Sequence, residues 1–88
     1  MSEQDPLIRQ LREQISDADR KLVEALNTRL DLVARLKSYK ESRGLDFVDP
    51  AQEDRLVERL ADANGGPLSD DGLRELYRAL LELTKREA

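Results

Sequence analysis

PLIRQLREQISDADRKLVEALNTRLDLVARLKSYKESR, residues 6–43, takes up nearly half of the 88-residue chain and holds no glycine and no proline after Pro6. Its spacing predicts one unbroken helix. Steps of three and four pick out Ile8, Leu11, Ile15, Ala18, Leu22, Ala25, Arg29, Leu32, Leu36 and Tyr39, with Leu26 and Val33 widening the stripe. The stripe is apolar except at Arg29. The residues one turn away on that face (Ala25, Leu26, Leu32, Val33) are all apolar, so an anion is the expected partner of the guanidinium. Lys40 follows eleven residues later, and eleven steps of about 100° return it to within about 20° of the heading of Arg29. Two cations about 16 Å apart on one face could grip the ends of a small anion. The same pair also fits a polar register-setting residue in a coiled coil and a snorkelling lysine, and helical geometry alone does not separate the two.

The ends of the helix are written in local chemistry. Asp5-Pro6 supplies a cap and a first-turn proline, and Gly44 supplies the stop. Arg35, Lys37, Lys40 and Arg43 gather toward the C-terminal end, where cations complement the dipole. After the loop Gly44-Leu45-Asp46-Phe47-Val48, Asp49-Pro50-Ala51-Gln52 has the form of a capping box and opens a second helix. Leu56, Val57, Leu60 and Ala63 form its apolar face, and Asn64-Gly65-Gly66-Pro67 ends it. Ser69 caps a third helix, with Leu68 and Leu73 placed for a hydrophobic staple and Leu73, Leu76, Tyr77, Leu80, Leu81 and Thr84 as its buried stripe. A first helix of about 57 Å cannot be covered by two helices of about 22 Å each, so a partner chain is expected.

Composition narrows the chemistry. The chain has no Cys and no His, which excludes disulfides, thiol or Ser-His nucleophiles and imidazole acid–base work, and no metal or cofactor is expected. Carboxylates, amines, guanidinia and hydroxyls remain. With 19 acidic against 15 basic residues the net charge is −4, which argues against a nucleic-acid partner. No apolar run approaches a membrane span and MSEQDP lacks a signal-peptide pattern, so the expected location is the cytoplasm. One all-α domain over residues 1–88 is expected, without repeat or linker.

Several side chains are candidates for function, and none is specific alone. Asp49 and Glu53 are four apart, which suits a carboxylate pair as well as it suits a helix cap and an ordinary acidic first turn. Thr84 suits a ligand hydroxyl or a bond to the carbonyl one turn back. Arg12 flanks the apolar seam beside Leu11.

Taken together, Leu11-Arg12-Glu13-Gln14-Ile15, Asp19, Arg29, Lys40, Asp49-x-x-x-Glu53 and a closing helix with Tyr77 and Thr84 make a pattern over nearly the whole chain that resembles the all-helical chorismate mutase family. The resemblance implies three helices, one very long, in an intertwined homodimeric bundle that converts chorismate to prephenate within aromatic amino acid biosynthesis. It implies that Arg12 reaches a substrate carboxylate from the partner subunit, and that Arg29 binds a carboxylate in its own subunit. Lys40 would donate to the ether oxygen of the breaking bond. Glu53 and the backbone at Asp49 would hold the ring hydroxyl, and Thr84 stands where the family often has Ser. The reaction is pericyclic, so it asks for conformer selection and charge stabilisation rather than a nucleophile or metal.

Two departures from the family pattern bear on activity. Gln52 occupies the position where the motif usually has Arg beside Glu53, and Ala88 is reached before the late Gln that many members use as a second donor to the ether oxygen. The Asn64-Gly65-Gly66-Pro67 loop also resembles mutase domains that associate with the first enzyme of the shikimate pathway. Two alternative functions are therefore a weakly active regulatory module for such a synthase, and an enzyme acting on isochorismate or an amino-substituted chorismate.

Overall fold

The computed structural model describes residues 5–88, which form three helices and no strand: α1 Pro6–Ser42, α2 Pro50–Ala63 and α3 Asp70–Glu87. The described residues fall into two compact units, one ending at Leu32 and the other running Val33–Ala88.

Among its described residues the first unit is helical from Pro6 onward. Asp5 Oδ1 accepts from Leu7 N at 2.8 Å and Ile8 N at 3.4 Å, which settles two of the amides that a helix start leaves open. No residue of α1 is buried along its whole length. Leu11 at 47% exposure, Ile15 at 61%, Leu22 at 59% and Leu32 at 54% display the predicted seam rather than bury it.

In the second unit, α1 closes on a Schellman motif. Leu45 N donates to Lys40 O at 2.8 Å and Gly44 N to Glu41 O at 3.2 Å, while Gly44 takes φ +69°, a value that side-chain-bearing residues resist. The following loop turns back onto the helix end. Lys37 Nζ stands 5.7 Å from the Phe47 ring centroid, and Lys40 Nζ donates to Phe47 O at 3.4 Å.

Helices α2 and α3 pack on each other around Val57, Ala61 and Leu73. Ala61 takes the buried place expected for Ala63, which is exposed, and Leu76 of the predicted α3 stripe is 55% exposed. The two helices meet at a rotation that brings Val57 and Ala61, four apart, into line, and this rotation leaves Ala63 outside the contact. Both starts are capped as expected: Asp49 Oδ1 accepts from Gln52 N at 3.2 Å and Ser69 Oγ from Gly72 N at 2.9 Å. Only half of the predicted capping box forms, because Gln52 Oε1 accepts from Arg55 Nη2 at 3.1 Å instead of reaching back to the backbone. The loop between α2 and α3 hangs on Asn64, whose Nδ2 donates to Leu68 O at 2.6 Å and Asp70 Oδ1 at 3.2 Å while its Oδ1 accepts from Gly66 N at 3.1 Å. Among the described residues no helix is long and apolar enough to cross a membrane.

Candidate active site

The expected site residues divide between the two units. Arg12, exposed, and Arg29, half-buried, lie on the first; Lys40, Asp49, Gln52, Glu53 and Thr84 lie on the second.

Within the second unit each has a definite setting. Lys40 is half-buried and fixed against the loop by its bond to Phe47 O, yet an ammonium carries three protons and keeps capacity for a further acceptor. Asp49 lies just outside α2, and its side chain is committed to the amide of Gln52. Thr84 is 4% exposed, and its Oγ1 donates to Leu80 O at 2.7 Å, the bond to the preceding turn that the sequence allowed.

Glu53 has a partner that sequence reasoning missed. Lys85 Nζ lies 3.3 Å from Glu53 Oε1 and 3.2 Å from Glu82 Oε1, with the Glu53 side chain 28% exposed and that of Lys85 32%. The hydrogen bond to Glu82 first, and then that to Glu53, raise the Lys85 ammonium above its ordinary 10.5, so it is charged at neutral pH. Asp49 and Glu53 are engaged separately: one caps a helix and the other meets a cation. A short connection between α2 and α3 does imply an antiparallel hairpin with the start of α2 near the end of α3. It does not say which of Lys85 and Arg86 would arrive at Glu53.

A groove of about 450 Å³ runs between α2 and α3, lined by Glu53, Asp54, Val57, Glu58, Arg78, Leu81 and Glu82. Its lining carries four carboxylates and one guanidinium, with Lys85 bonded to Glu53 and Glu82 and Arg74 to Glu58.

One long helix with an exposed apolar seam, followed by a capped helical hairpin bearing Asp49-x-x-x-Glu53, defines an all-α protein. The chain belongs to the chorismate mutase type II family, whose sequence model matches residues 11–88. It is similar to the chorismate mutase of Thermus thermophilus in two solved forms. Form I is 26% identical, with 88% of this chain and 96% of that chain covered at a TM-score of 0.85. Form II is 25% identical, with 90% of each chain covered at a TM-score of 0.86. Among curated proteins none matches the chain significantly.

Proposed function

We propose that this chorismate mutase works as an intertwined pair of chains, each site taking Arg29, Lys40 and Glu53 from one copy and Arg12 from the other. The protein converts chorismate to prephenate, a rearrangement in which the ether C–O bond breaks as a C–C bond forms, with no covalent enzyme intermediate. Catalysis then consists of holding the folded conformer and stabilising charge that develops on the ether oxygen. In this reading Arg29 and the partner's Arg12 take the two substrate carboxylates, because a guanidinium offers a planar fork that matches a carboxylate. Lys40 donates to the ether oxygen. Glu53, with the backbone at Asp49, receives the ring hydroxyl; Gln52 and Thr84 complete the wall.

The observation that carries the paired arrangement is the seam of α1, where the helix buries no residue along 37 positions. Large apolar side chains exposed over that length need a cover, and a second copy supplies one of matching length and pattern. Subunit mixing tests both the pairing and the division of residues. Arg12→Ala and Arg29→Ala are each expected to be inactive, and exchange between them is expected to restore up to about a quarter of the wild-type sites, since a mixed pair holds one site without either lesion. Absence of recovery after verified exchange would show that Arg12 serves the site of its own chain. A 10.1 kDa monomer in light scattering at micromolar concentration would remove the pairing altogether.

A further inference from the structure

Lys85 lies beside Glu53 but has no role in the reading above. Its ammonium lies 3.3 Å from Oε1 of Glu53, one of two oxygens that can accept a bond. Glu82, the second carboxylate on Lys85, is 68% exposed, so its charge is screened by water much more than that of Glu53 at 28%. A donor bound to Oε2 would stand about 5 Å from Lys85 Nζ, given ordinary hydrogen-bond lengths and the width of a carboxylate. At that range an uncharged hydroxyl is tolerated, whereas a second cation is repelled.

We propose that Lys85 is a specificity-determining residue which, clamped on Glu53, favours a substrate with a ring hydroxyl over one with a protonated ring amine. The inference rests on the reading that Glu53 receives the ring substituent. The other charges around the groove stay the same when Lys85 alone is changed, so its part is read as a change in the ratio. Arg78 has the same sign as Lys85, and Asp54 and Glu58 are exposed to water. Two unit charges about 5 Å apart, at close to the dielectric of water, change a selectivity ratio about fivefold.

The test uses the full chain and two ligands, chorismate as substrate and its ring-amino analogue as competitive inhibitor. The quantity read is the inhibition constant of the amine divided by the KM for chorismate. It is expected to fall about fivefold in Lys85→Met, because the amine then binds relatively better, and to stay within about twofold in Lys85→Arg. Loss of folded protein lowers the activity but leaves this ratio where it was. Glu53→Gln is expected to move the ratio upward, since an ammonium loses more than a hydroxyl when the anion goes. If Lys85→Met leaves the ratio unchanged while Glu53→Gln raises it, Lys85 has no part in selection and Glu53 still meets the ring substituent. If neither variant moves it, the placement of Glu53 fails and the inference about Lys85 fails with it.

Discussion

Arg74 grips Glu58 across the α2–α3 interface with two parallel bonds, Nε to Oε1 at 3.1 Å and Nη2 to Oε2 at 3.3 Å. The pair spans sixteen residues of sequence, and with Glu53–Lys85 it forms two ties running in opposite senses along the two helices, as an antiparallel hairpin requires. The hydrogen bond from Arg74, then its charge, hold the Glu58 carboxyl below its ordinary 4.5.

A lowered carboxylate pKa stabilises the fold above the unfolded value, and that contribution is lost as pH falls through the folded value. Glu58→Gln is therefore expected to unfold at lower urea than wild type at pH 6, with the difference closing toward pH 3. The difference is expected to be small because Glu58 is 60% exposed. A deficit that stays the same from pH 6 to pH 3 would show that the bond to Arg74 does not depend on the charge of Glu58. Lys85 acts in the opposite sense, its raised pKa giving stability that is complete below pH 10.5 and lost as pH rises through the folded value.

The α2–α3 hairpin has a small apolar centre, and Leu73 at 8% exposure is its largest buried side chain. Leu73→Ala is expected to cost about 2 to 4 kcal/mol in urea unfolding at fixed protein concentration. A loss under about 1 kcal/mol would mean that the contact around Val57 and Ala61 does not hold the hairpin together.

Gly72 is a helical glycine that should resist the usual improvement. Ala in place of Gly within a helix ordinarily gains about 1 kcal/mol. At this position a Cβ would meet Ser69 Oγ at 3.0 Å and Leu68 Cδ1 at 3.1 Å. Ser69 Oγ cannot retreat without weakening its cap on Gly72 N, so Gly72→Ala is expected to leave stability unchanged or to lower it by about 0.5 kcal/mol. Thermal unfolding decides the matter, and a gain of the full amount would show that the cap yields freely.

Gln52→Arg is expected to raise turnover by up to about 10² while changing KM little, because a new donor to developing charge acts on the chemical step. The cap survives the change, since Asp49 bonds to the backbone amide of residue 52 rather than to its side chain. Arg55 loses its acceptor and gains a like charge three residues away, a cost of about 0.5 kcal/mol. Steady-state kinetics that show lower turnover on chorismate would mean that Gln52 serves a different substrate or a partner.

Where the helices begin and end is legible in the residue order alone. Asp5-Pro6, Asp49-Pro50, Asn64 and Ser69 mark boundaries because each acts on backbone groups within a few residues, where chain connectivity already fixes the distance. Gly44 is legible for the same reason, since its Schellman bonds reach no further than Lys40. The long seam and the pattern Arg12, Arg29, Lys40, Asp49, Glu53 were likewise visible as spacing. Tertiary structure alone decided that Ala61 rather than Ala63 is buried, that Glu58 meets Arg74, and that Glu53 is held by Lys85. Those contacts depend on how α2 is rotated and shifted against α3, and a slip of one residue turns a helix by about 100° and exchanges one side-chain partner for another. Local hydrogen bonds do not set that rotation. It is set by the fit of Val57, Ala61 and Leu73 against one another, which exists only once both helices are formed.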